Sequence, residues 1–280
     1  MRLEGERESG NVVDRRRGGG LPIGLAGGGI GSMVLVVVAL LLGVDPTILF
    51  SGGEEPGRQI TQSGPPDPAQ ESERRFVAQV LATTEDAWGE IFRRSGQRYA
   101  PPSLVLFTGA TQSGCGFAQS AVGPFYCPED RQVYLDLGFF RDMERQLGAP
   151  GDFARAYVIA HEVGHHVQNE LGILARVNQA RRGRSEAEGN ALQVRVELQA
   201  DCFAGLWARH TQRVLEPGDI EEGINAAAAV GDDRLQRRAR GTVVPESFTH
   251  GSSAQRVRWF RRGLDSGDPR QCDSFGMEAP

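Results

Sequence analysis

Apolar residues recur at spacings near three and four from Phe76 through Val77, Val80, Leu81, Trp88 and Ile91 to Phe92, within a helical pattern that begins at Glu71 and stops at Gly96. A folded domain is expected to start here. Two short strand-like runs follow, 103–108 after a proline pair and 132–137, separated by a Gly- and Cys-containing loop. Pro150-Gly151-Asp152 then supplies a stop, a turn and an N-cap for a helix over 153–171, ended by Gly172. A polar, arginine-rich connection leads to a second helix over 190–210, where Leu192, Val196, Ala200, Phe203 and Trp207 fall on one buried stripe. Asp219 with Glu222 is expected to cap a third helix through the alanine run 226–229. Ser252 with Gln255 is expected to cap a fourth, which carries Val257, Trp259 and Phe260. Strands early and helices late predict an α+β domain with a small sheet and a mainly helical remainder.

The first seventy residues follow another pattern. Residues 1–20 are polar and include Arg15, Arg16 and Arg17; residues 21–44 carry one charge-free run, apolar above all from Met33 to Leu42. That run is long enough for a membrane-spanning helix, which needs about 20 apolar residues. Arginines before it and Asp45, Glu54 and Glu55 after it predict a single-pass anchor with the N-terminus cytoplasmic and the rest extracytoplasmic. A cleaved signal peptide is the rival reading, but the leader is long and no small-x-small pattern closely follows Leu42. Residues 45–72, rich in Gly, Pro, Ser, Gln and Glu, read as a flexible linker, and 73–280 as the folded domain.

The chain has 280 residues, 39% hydrophobic and 24% charged, enough for one sizeable core. A formal net charge of −5 offers no basic field for nucleic acid, and the short arginine clusters read as solvated surface. The four cysteines, Cys115, Cys127, Cys202 and Cys272, are an even set in a chain expected to be exported. Cys115 and Cys127 flank a short loop and look like a local staple, which leaves Cys202 to tie the C-terminal tail through Cys272. None forms a CxxC pair, so a zinc knuckle is disfavoured.

The candidate chemistry lies in His161-Glu162-Val163-Gly164-His165. On a helix of about 3.6 residues per turn, side chains four apart leave about 40° from each other, so His161 and His165 converge on one ion. His166 points away. A catalytic zinc site needs three protein ligands and an open position, and Glu162, beside the metal yet off the ligand face, is placed as general base for the water that the metal activates. The small and apolar neighbours Ala160, Val163, Gly164 and Val167 indicate a buried helix rather than two surface histidines. Glu197, within the stripe of the next helix, is the candidate third ligand. Asp201, one turn on, is suited to fix the tautomer of a ligand histidine. Glu186 and Glu188 read as surface or capping acids.

These segments, with Gly231-Asp232-Asp233 and the stretch Thr249-His250-Gly251-Ser252-Ser253-Ala254-Gln255-Arg256, resemble the bacterial neutral zinc metallopeptidase family, a zincin-like group with an N-terminal membrane segment. The likeness runs from about Arg75 to Cys272. It implies zinc held by His161, His165 and Glu197, Asp201 behind the first histidine, and hydrolysis of peptide bonds with Glu162 as base. His250 is then a candidate for steadying the oxyanion of the tetrahedral intermediate; its rival reading is a loop histidine that helps cap the last helix. Asp232 and Asp233 either support the metal shell or pair locally with Arg234. Residues 133–136 are expected as an edge strand for an extended peptide, or else as a core strand. A zinc-stabilised binding module and a zinc amidase acting on cell-wall material remain as alternative functions.

Overall fold

The computed structural model describes residues 1–16 and 68–277. The helical period around Phe76–Phe92 folds as α1 (Pro68–Arg94), burying Val77, Val80, Leu81, Trp88, Ile91 and Phe92. A four-stranded sheet runs β1 (Val12–Asp14), β2 (Ser103–Phe107), β6 (Gln132–Asp136), β5 (Phe125–Cys127), in that spatial order. β2 is parallel to both neighbours, with Val105 opposite Val13 and Tyr134, while β5 returns antiparallel to β6. Leu104, Leu106, Val133 and Leu135 face the main core; Val105, Phe107 and Tyr134 cluster on the other face with Cys127. Burial on both faces is why these strands read as continuous apolar runs. Residues 133–136 are therefore an interior strand. The edge beside the helices is β5, a correction to the expectation of an edge strand there.

A hairpin of β3 (Ala110–Ser113) and β4 (Gly116–Gln119) fills the loop between the two predicted strands, and Cys115 in its turn is disulfide-bonded to Cys127. The helical part comprises α2 (Gly138–Arg145), α3 (Asp152–Glu170), α4 (Ile173–Arg181), α5 (Glu186–His210), α6 (Asp219–Ala229), α7 (Asp232–Arg240) and α8 (Ser253–Ser266). Both expected disulfides form, the second joining Cys202 on α5 to Cys272 beyond α8.

Several boundaries differ for local reasons. α5 starts at Glu186 rather than Asn190 because Ser185 and Glu188 close a capping box. α4 occupies the supposed polar connection and buries Val177. Asp152 is not an N-cap: Gly151, at φ 115°, takes that position. Nor does Glu222 cap its own helix, since its Oε2 accepts from the Phe153 N–H at 3.0 Å and so caps α3 from α6. The Ser252–Gln255 capping box on α8 forms as expected.

α5 and α8 pack at backbone contact. A Cβ on Gly263 would sit 1.9 Å from the Cys202 carbonyl oxygen, and one on Gly205 would sit 2.0 Å from that of Phe260. Two glycines facing each other's helix let the backbones meet, and this fixes the height of α8 side chains against α5.

Residues 1–16, assigned from sequence to a separate leader, lie along this body. Met1 and Leu3 are buried in the main core, and β1 extends the sheet. The α-amino group of Met1 lies among the acids Asp152 and Asp219, at 2.8 and 3.1 Å. The apolar run 21–44 falls outside the described residues. Among those described, no helix is long and apolar enough to cross a membrane.

Candidate metal centre

α3 and α5 cross closely enough that a Cβ on Gly164 would come within 3.1 Å of the Ala200 carbonyl oxygen. Glycine at this point brings one turn of α5 under the two histidines. Glu197 Oε2 lies 3.2 Å from His161 Nε2 and 3.5 Å from His165 Nε2. The imidazole planes stand at 88°, their centroids 4.8 Å apart. All three ligand atoms fall within 4.8 Å of one another.

This set can be tested against zinc. Bonds of about 2.1 Å in tetrahedral geometry separate ligand atoms by about 3.4 Å, and the donors favoured are imidazole nitrogen, thiolate and carboxylate. The two glutamate–histidine separations match that edge, and nitrogen, nitrogen and oxygen are a suitable donor set. His161, His165 and Glu197 fit zinc with a fourth position left open.

Each candidate ligand is held from behind. His161 Nδ1 meets Asp201 Oδ1 at 2.9 Å. Asp201 also accepts from the Tyr157 hydroxyl and takes both arms of Arg256, Nε on Oδ2 and Nη2 on Oδ1, each at 2.9 Å. All four side chains are buried. Burial alone would disfavour a charged His161, but Asp201 and Glu197 override it and push its pKa up to about 9. Asp201 is shifted down despite burial, chiefly by Arg256 and then by His161. His165 Nδ1 is bonded to Gln168 Oε1 at 2.8 Å, and Gln168 spans to the Val196 carbonyl at 2.7 Å. Glu197 Oε1 accepts from Gln193 at 2.9 Å. This leaves Oε2 directed at the histidines.

Glu162 is buried at 9% exposure, and its carboxylate has no hydrogen bond or ion pair among the described residues. His166 faces away, its Nε2 on the Ala100 carbonyl at 2.7 Å and its Nδ1 by the Tyr126 hydroxyl at 3.1 Å, as an off-face residue should.

His250 comes to the site from the loop before α8. Asp232, wholly buried, receives the backbone N–H groups of Thr249, His250 and Gly251 on Oδ2 at 2.7, 2.6 and 3.0 Å. Its Oδ1 lies 3.4 Å from His250 Nδ1. Burial opposes charge on His250, but Glu197 and Asp232 outweigh it and raise its pKa. Asp233 accepts from the Ser253 N–H and hydroxyl at 2.7 and 2.8 Å. Neither acid pairs with Arg234 in the way the local reading foresaw: Asp232 builds the His250 loop and Asp233 secures the start of α8.

Sequence reasoning did not single out Tyr157, Gln168 or Arg256. Arg256 carried a usable signal, because with Trp259, Phe260 and Gly263 it lies on the buried face of α8. An arginine on such a face needs a buried acid.

The fold and the site define a mixed α+β protein with a His–His–carboxylate centre on two crossing helices. The chain belongs to the family described as "putative neutral zinc metallopeptidase", whose model matches residues 1–275. It is 52% identical over 286 residues to the "Uncharacterized protein YpfJ" of Escherichia coli strain K12, covering 99% of each chain. It is 43% identical over 257 residues to the "Uncharacterized protein Rv2575" of Mycobacterium tuberculosis strain H37Rv, covering 85% of each. No solved structure matches it.

Proposed function

We propose that this protein is a zinc-dependent endopeptidase in which Glu162 is the general base. The observation that carries the reading is the Glu162 carboxylate, which has no hydrogen-bond partner among the described residues and stands one residue from a three-residue set with zinc spacing. A purely structural zinc site would fill four positions with protein ligands and has no use for such a carboxylate.

Bound zinc supplies Lewis-acid polarisation of the scissile carbonyl and lowers the pKa of a water molecule toward about 7. Glu162 takes the proton of the attacking water and returns it to the leaving nitrogen. His250, held by the Asp232 loop, donates to the oxyanion as the carbonyl becomes tetrahedral. Asp201 and Gln168 keep the imidazoles in the tautomers that present Nε2 to the ion.

Two disulfides support action in an oxidising compartment, outside the cytoplasmic membrane, with residues 21–44 holding the protein at the lipid surface. Glu162→Gln tests the mechanism. Zinc content is expected to persist while cleavage of a generic peptide library falls by about 10²- to 10⁴-fold. A variant that cleaves as fast as the parent refutes it. The same assay on cell-wall peptides separates proteolysis from hydrolysis of other amides.

A further inference from the structure

The first sixteen residues are built into the domain from end to end. Arg2 N–H donates to the Val214 carbonyl at 2.8 Å, and Ser9 N–H to that of Ala78 at 3.0 Å. Gln79 on α1 donates to the carbonyls of Leu3 and Glu6. Asn11 donates to Glu85 at 2.7 Å. The parallel ladder with β2 is extended by Leu104 N–H on the Asn11 carbonyl and Arg15 N–H on the Leu106 carbonyl, both 2.8 Å. Met1 is 9% exposed, Leu3 6% and Ser9 5%.

The two ends of the intervening chain also meet. Arg16 Nη1 donates to the Gln70 carbonyl at 3.1 Å, in the first turn of α1. The two described segments therefore meet at Arg16 and Gln70. Arg16 is itself part of the seat: its side chain is 8% exposed and is paired with Asp14.

A single passage of residues 21–44 through a bilayer would put Met1 to Arg16 on one side and the zinc site on the other. The core would lose Leu3, and β2 would be left with an unpaired edge. Arginines ahead of an apolar run favour the cytoplasmic side; here Arg16 is partly buried against the domain and paired with Asp14, and Arg15 is exposed.

We infer that residues 1–16 and the zinc-site domain lie on the same side of the membrane. This replaces the single crossing with a cytoplasmic N-terminus that the charge pattern predicts.

The test uses the full chain in bacterial cells, with a single cysteine introduced at an exposed position, either Glu4→Cys or Arg238→Cys. Neither substitution touches the zinc site, and the four native cysteines are held in disulfides. A membrane-impermeant maleimide is applied to spheroplasts before and after lysis. Both positions are expected to label in the same fraction. Labelling of Arg238→Cys before lysis with Glu4→Cys labelled only after it, or the reverse, overturns the inference. A second variant, Leu3→Asp, checks that the segment is seated: the melting temperature of the full chain should fall by roughly 5–10 °C. An unchanged melting temperature also overturns it.

Discussion

Arg256 grips Asp201 through two parallel N–H···O bonds of 2.9 Å, and Asp201 passes that grip to His161. The pair is buried, so its members are interdependent. Arg256→Met leaves a buried carboxylate uncompensated and is expected to cost about 3–5 kcal/mol of stability and 10- to 100-fold in zinc affinity. The double variant Asp201→Leu/Arg256→Met should recover much of the stability but not the affinity. Recovery of both would mean that the pair serves packing alone. Denaturant unfolding and competitive zinc titration give the two readouts.

The metal-free protein should titrate through His161. Its pKa rises from 6.5 to about 9 on folding, so its proton contributes stability fully below pH 6.5 and loses it as pH rises through about 9. Zinc takes that proton's place. The melting temperature of the metal-free form is expected to fall across this window, and that of the zinc form to stay level relative to it. Zinc affinity should climb with pH up to about 9, with proton release measurable by calorimetry in buffers of different ionisation heat. Affinity that is flat from pH 6.5 to 9 would contradict the assignment of His161.

Gln168 carries no charge, yet it orients His165 while anchored to the Val196 carbonyl. Gln168→Ala is expected to weaken zinc binding about 10-fold. Gln168→Glu should restore an acceptor for Nδ1 but lose the donor to Val196. Equilibrium dialysis of the two variants against the parent distinguishes orientation from anchoring.

Gly263→Ala adds one methyl where the Cys202 carbonyl oxygen already stands. Overpacking of this kind costs about 1–3 kcal/mol or more, and here the helices must part to admit it. Because α8 carries Arg256, the same change should lower zinc affinity as well. A loss of stability with intact affinity would show that the Arg256 contact adapts to the crossing.

The candidate zinc set was legible as a cluster because it is local in the chain: His161 and His165 share a helix face, and Glu197 and Asp201 repeat that spacing on another. The major helices were legible through their apolar period and the Ser252–Gln255 cap. What sequence missed depends on long-range partners. Glu222 capping α3, Arg256 under Asp201 and the three backbone donors on Asp232 each join segments with no periodic relation. β5 is too short for an alternating pattern, so the sheet's helix-side edge was misplaced by one strand. Residues 1–16 misled for another reason: their polar residues are spent on specific bonds to α1, which composition cannot distinguish from solvation.

The contact between Glu6 and Arg213 spans 207 positions of sequence, with Arg2 and Val214 beside it. As the chain is synthesised, its leading segment emerges long before the residues that receive it. Closing so long a loop is entropically costly and slows folding. The segment around Arg2 and Glu6 is thus expected to dock late, and until then the nascent protein leaves the surface beside Val214 open to whatever escorts it from the ribosome.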